Sequence, residues 1–185
     1  MTTNVDTSVY PFRLDLASGR MEPLSTLSGV GGAVMSVNSR GDAVGYDGDV
    51  NYGFGGSSDA VTWDRLGKLS VVFACNGEDD CFASLNAVNA DGLAVGSVTR
   101  SARGAARVFR WSPDGGVEFL EVSQERGRSS ILNMADDGSI LVSNGLLGFI
   151  LRSSGEITTI SPPPSHQRAQ PRAMNNRGQV VGRLF

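Results

Sequence analysis

Short runs of β-branched and aromatic residues alternate along the whole chain with clusters of Gly, Asp, Asn, Ser and Pro. The runs are too short for helices, and their apolar positions recur with a period of two, so the pattern predicts strands joined by tight turns. Four segments repeat one motif, an apolar residue, a small polar turn ending in glycine, then an apolar run: Ser36 to Gly45, Ala87 to Gly96, Asn133 to Val142 and Ala173 to Gly182. Their turn glycines, Gly41, Gly92, Gly138 and Gly178, stand roughly 40 to 50 residues apart, the period of one propeller blade.

A second unit recurs between these segments, again two apolar stretches about a glycine turn. It comprises Tyr10 to Asp15 with Arg20 to Leu24, Ala60 to Asp64 with Lys68 to Val72, Val108 to Ser112 with Val117 to Leu120, and Gly148 to Arg152 with Glu156 to Ile160. With the strands lettered A and B around the first turn and C and D around the second, the chain opens on a C–D pair and ends on an A–B pair. The expectation is therefore an all-β, four-bladed β-propeller, a single domain over residues 1–185, in which the N- and C-terminal strands together close one blade.

The Asn-x-x-Gly-x-x-Val-Gly element of the first, second and fourth segments resembles the HAF repeat family of bacterial, often extracellular, proteins; the third departs from it, with Ala135 in the asparagine place and Val142 in the final glycine place. The resemblance implies architecture far more than activity, because propellers carry unrelated functions. Both turns of each blade are short and share one face. The B-to-C and D-to-A connections share the other and include long stretches at 47–58, 74–83, 99–106, 123–129 and 161–170. Long loops on a rigid scaffold are where binding groups concentrate, so the site is expected on the loop face at the channel mouth. With strand A innermost, Met35, Asn86, Asn133 and Arg172 would line the channel.

Composition narrows the function classes. The 16 basic and 19 acidic residues give a net charge of -3, so no positive field favours nucleic acid. No apolar run approaches the roughly 20 residues of a membrane span, and monomeric behaviour is expected. The start is polar, so the sequence leaves open the cytoplasm, or an extracellular or periplasmic site if a leader has been removed. Cys75 and Cys81, six positions apart across a polar turn, are spaced for a disulfide.

The candidate chemistry is diffuse. Asp47, Asp49 and Asn51 stand at alternate positions that would let three oxygens converge on calcium, although the spacing departs from an EF-hand; otherwise no cofactor is expected. Glu78, Asp79 and Asp80 form an acidic cluster. Tyr52, Phe54, Arg100, Arg103, Arg168 and Arg172 offer rings and guanidinium groups able to bind a planar or anionic ligand. His166 is the single histidine, which excludes histidine-clustered zinc and leaves one residue for imidazole acid-base chemistry. Trp63 and Trp111 occupy equivalent C-strand places and read as core. The pattern points first to a noncatalytic module binding a small molecule or protein partner, and second to a small propeller isomerase, lyase or cyclase.

Overall fold

The computed structural model describes residues 9–27, 29, 31–48, 56–100, 105–121, 130–143 and 147–185. They form strands and turns, with no helix among them. The first hairpin is β1 (Phe12–Asp15) and β2 (Arg20–Pro23). Three four-stranded blades follow: β3 (Gly32–Val37), β4 (Ala43–Gly48), β5 (Ser58–Trp63) and β6 (Leu69–Phe73); β7 (Cys81–Val88), β8 (Ala94–Arg100), β9 (Arg107–Ser112) and β10 (Gly116–Phe119); β11 (Ser130–Met134), β12 (Ile140–Ser143), β13 (Gly148–Leu151) and β14 (Ile157–Ile160). The last hairpin is β15 (Ala169–Met174) and β16 (Val180–Leu184). All sixteen strands fall where the A–D repeat places them, and each blade is an antiparallel meander. One parallel bridge, Ser58 to Phe82, joins the first two blades.

The final glycine of the repeat has a backbone cause. Every A strand carries a β-bulge, between Val34 and Ser36, Leu85 and Ala87, Ile131 and Asn133, and Pro171 and Ala173. Directly opposite lie Gly45, Gly96, Val142 and Gly182. A Cβ on Gly45 would stand 1.9 Å from the Ala33 carbonyl oxygen, on Gly96 2.2 Å from that of Ser84, and on Gly182 2.2 Å from that of Gln170. The kinked strand presses its carbonyl into the place a side chain would need. Only the third blade accommodates a side chain there, the fully buried Val142.

The repeat asparagine closes its own turn and reaches the next blade. Asn38 Oδ1 accepts from the Arg40 and Asp42 amides (both 3.0 Å), while Asn38 Nδ2 donates to the Asn89 carbonyl (3.0 Å). Asn89 repeats this, accepting from Asp91 and Leu93 and donating to the Asp136 carbonyl (3.1 Å). Ala135 interrupts the series, and Asp136 pairs instead with Asn176 of the last hairpin. Asn89 is 4% exposed, so truncation strands buried groups. Asn89→Ala is expected to lower unfolding free energy by about 2–3 kcal/mol in chemical denaturation, more than the same change at the exposed Asn175.

Three aspartates play a related part in the short turns. The Ser18 amide holds the Asp15 carboxyl below its ordinary range, the Lys68 amide does so for Asp64, and the Ser139 amide for Asp137. Their folded-state pKa values lie below the unfolded value of about 3.9, so the stabilisation is present above that pH and is lost as pH falls through the folded values. Thermal melts are expected to shift downward below about pH 4, with a smaller acid shift in Asp64→Asn.

The core lies between blades. Leu24 packs on Ala43, Val61 and Trp63, joining the first hairpin to the first blade. Val44 and Ala60 pack with Cys75, Leu85 and Phe109, joining the first and second. Ala87, Val95 and Val108 meet Met134, Ile140 and Leu151 between the second and third, and Leu141 and Ile150 meet Met174 of the last hairpin. Four interfaces in chain order make an arc. Among the described residues the expected closure of one blade by the two termini is not made: β1–β2 and β15–β16 are separate two-stranded sheets. The angle between blades is set by side-chain volume at these interfaces, which the hairpin pattern does not encode.

Candidate functional site

The inner wall of the arc is formed by β3, β7, β11 and β15, which pack against one another in chain order. The bulges put one residue of each strand outside the regular ladder at the same level: Met35, Asn86, Leu132 and Arg172. Bulges can re-aim a side chain, and all four lie on the strands that pack against one another from blade to blade. Met35, Asn86 and Arg172, three of the residues expected from sequence to line a channel, stand at bulges. On β11 the bulge falls at Leu132, and Asn133 sits past it, paired with Leu141. Asn86 Oδ1 accepts from Ser84 Oγ at 3.4 Å, and Arg172 donates to Gln170 Oε1 at 3.4 Å.

His166 and Arg168 lie on the connection that leads into β15. The His166 ring Nδ1 shares a hydrogen bond with Ser165 Oγ (2.8 Å), and its exposed backbone turn is held by Pro163. The Arg168 guanidinium lies 5.2 Å from the centre of the Phe185 ring, while its backbone pairs with Phe185. Arg100, at the end of β8, forms an ion pair with Glu78, which ties one of the expected ligand cations to the acidic cluster. Tyr52, Phe54 and Arg103 fall outside the described residues.

Asp47, the first of the calcium candidates, is 3% exposed and accepts the Leu27 amide at 3.0 Å, so its carboxylate anchors the strand entry to β3. Asp49 and Asn51 lie outside the described residues. Among the described residues no group of three His, Cys, Asp or Glu side chains is placed to hold a metal ion. Cys75 and Cys81 are bonded, with Cα atoms 5.7 Å apart, and both sulfurs are buried in the interface between the first two blades. A loop this short contributes about 2 kcal/mol. The Cys75 amide donates to Asp59 at 2.7 Å, so the disulfide loop is pinned to β5.

Two clefts open where the sequence suggested none, on the face of short turns. One, of about 220 Å3, lies between the first two blades and is lined by Arg40, Asp42, Thr62, Lys68, Trp111 and Pro113. The other, of about 300 Å3, lies between the second and third and is edged by Arg110, Glu118, Arg152 and Ser154. Arg40 pairs with Asp42 at 3.0 Å and Arg110 with Glu118 at 2.6 Å, so each cleft carries a neutralised cation at its rim. Trp63 is fully buried beneath the first cleft, as its core reading expects, whereas Trp111 is half-buried at its wall. Clefts of this kind join turns from blades far apart in sequence, which leaves no local signal. Arg13, on β1, donates to the Gly41 (3.0 Å) and Asp64 (2.8 Å) carbonyls of the next blade.

Repeated four-stranded meanders arranged in an arc about inner A strands define a propeller-like all-β protein. No protein-family model matches the sequence, and no curated protein matches it. Solved structures it is similar to include propeller enzymes: a streptogramin B lyase at 15% identity and TM-score 0.56, aligned over 91% of this chain and 53% of that one; and virginiamycin B lyase from Staphylococcus aureus at 14% identity and TM-score 0.54, over 96% and 64%. A catalytically inactive histidine-to-alanine form of that enzyme with quinupristin aligns at 12% identity and TM-score 0.55, over 99% and 71%. The chain spans between about half and two thirds of the first two neighbours. At these identities the likeness is one of fold.

Proposed function

We propose that this chain is a binding module that seats a small molecule or protein segment against its inner strands. The observation that carries the reading is the recurrence of a bulge on β3, β7, β11 and β15. It takes an apolar residue, an amide, a second apolar residue and a guanidinium, Met35, Asn86, Leu132 and Arg172, out of the ladder on four strands that pack against one another in chain order. A mixed set of apolar surface and two polar handles suits a ligand with a hydrophobic body and a carbonyl or carboxylate group. Native mass spectrometry of protein isolated from its own source is expected to show added mass beyond the 19.4 kDa chain, lost in Arg172→Ala and Asn86→Ala. Unliganded protein from that source refutes the reading.

A second reading, a lyase, is favoured by the structural neighbours, which are propeller lyases. His166, with Ser165 on its ring nitrogen, is the residue through which an elimination would run. Chromatography of quinupristin incubated with the protein decides between the two: consumption abolished by His166→Ala supports the lyase, and unchanged quinupristin removes it as a substrate.

A further inference from the structure

The two clefts on the turn face occupy one station of the repeat, and the residues that hold the station differ. Thr62 pairs with Val44 on one side and Ser70 on the other, so these three side chains form one cross-strand row. Val44 packs in the cluster shared with the second blade, so the row faces that blade. Arg110 and Glu118 are the register equivalents of Thr62 and Ser70, in a row with Val95 that faces the third blade. There the row closes on itself, Arg110 bonding Glu118 at 2.6 Å. In the first hairpin the same place is held by Arg13, whose guanidinium is taken up by the Gly41 and Asp64 carbonyls. Between the first and second blades the place holds two short hydroxyl side chains where the neighbouring junctions hold an arginine.

The opposite wall is Trp111. Its repeat equivalent, Trp63, is fully buried and donates its indole N–H to the Ser25 carbonyl (2.8 Å), whereas Trp111 is half-buried and presents part of its surface to the cleft, beside apolar Ala43, Val44 and Val88. The charges at the rim are compensated in place. Arg40 bonds Asp42 at 3.0 Å, and Lys68 lies in the field of the Asp64 carboxylate, which also accepts the Leu66 and Lys68 amides (2.8 and 2.9 Å). A ligand of net charge of either sign therefore gains little here. Donors and acceptors nevertheless line the same volume, because the hydroxyls of Thr62 and Ser70 serve as both and the two ion pairs supply one of each.

We infer that the cleft between the first and second blades is a second binding site, which seats the ring of a neutral sugar with its C–H face on Trp111 and its hydroxyls on Thr62, Ser70 and the two ion pairs. Each sugar hydroxyl both donates and accepts, which matches a rim that offers both, and the C–H face of the ring is apolar enough to lie on an aromatic side chain. The volume, about 220 Å3, is below the roughly 300 Å3 at which sites for drug-sized ligands begin, so it suits one ring and not an oligosaccharide. Met35, Asn86, Leu132 and Arg172 are not among its lining residues, so the inference stands apart from the ligand reading of the inner strands.

Tryptophan fluorescence tests the site, because Trp63 and Trp111 are the only two tryptophans of the chain. In a Trp63→Phe background Trp111 is the sole reporter, and it is titrated with the methyl glycosides of glucose, galactose, mannose and N-acetylglucosamine. At least one is expected to give a saturable change in emission with a Kd of about 1 mM, and saturation-transfer NMR on the unmodified chain reads the same binding without a substitution. Thr62→Arg, which places in this junction the residue that its neighbours carry, is expected to fill the cleft and weaken binding about tenfold or more, with an unchanged circular dichroism spectrum. Arg172→Ala is expected to leave it unaltered. No response to any of the four glycosides by either method, an undiminished response in Thr62→Arg, one lost in Arg172→Ala, or saturable binding of benzoate or benzamidine in their place each overturns the inference.

Discussion

Gly96→Val is expected to lower unfolding free energy by at least about 3 kcal/mol, a loss of roughly 6–12 °C in Tm for a chain of this size. The new Cβ would meet the Ser84 carbonyl oxygen at 2.2 Å and the Phe109 ring at 2.9 Å. The first is backbone in the bulged strand β7, and the second is fully buried against Phe73 and Phe119, so neither can retreat without opening the central interface. The same change at Gly182 meets an equally close carbonyl, at 2.2 Å from Gln170, yet lies in a two-stranded terminal sheet that can yield by itself. Differential scanning calorimetry of the pair should separate them: a global loss for Gly96→Val and a local one for Gly182→Val. Equal losses would show that the terminal hairpin is as tightly coupled as the middle blade.

Trp63→Ala carries the second large expected effect, about 3–5 kcal/mol. Trp63 is fully buried between Leu24, Ala43 and Val61, and its indole N–H donates to the Ser25 carbonyl at 2.8 Å. That bond and that packing are the main tie between the first hairpin and the first blade, supported by Arg13 on the Gly41 and Asp64 carbonyls. Limited proteolysis should therefore release a fragment ending before β3 from Trp63→Ala under conditions in which the parent resists. Trp63→Phe, which restores most of the volume but not the donor, should recover the larger part of the stability.

The strands were legible because hairpins are local. Asn38, Asn89 and Asn175 announce their turns through side chains that bond their own backbone, and Gly41, Gly92 and Gly178 supply the positive φ that follows. The degenerate third repeat was correctly aligned at Ala135, because the Gly138 turn survives without the asparagine. Its bulge falls one residue before the position expected to face inward. A bulge shows in sequence only through the glycine opposite it, and Val142 removes that signal, so Asn133 was expected where Leu132 stands. Closure and clefts were illegible for a different reason. Both depend on how far each blade leans on the next, a sum of packing volumes across Leu24, Phe109, Met134 and Met174 that no single hairpin carries. The disulfide lay between these cases: spacing allowed it, and the Asp59 acceptor beneath Cys75 holds the loop in the bonding geometry.

Because each core cluster joins only adjacent blades, the protein is energetically a short one-dimensional array whose stability is a sum of neighbour terms. Such a chain melts from its ends inward. Amide exchange should be slowest along β7 to β9, where interfaces lie on both sides, and fastest in the terminal hairpins, which have one. Loss of one interface would then shorten the array without dissolving it, making the number of cooperative units, and not only their total free energy, the quantity that a substitution changes.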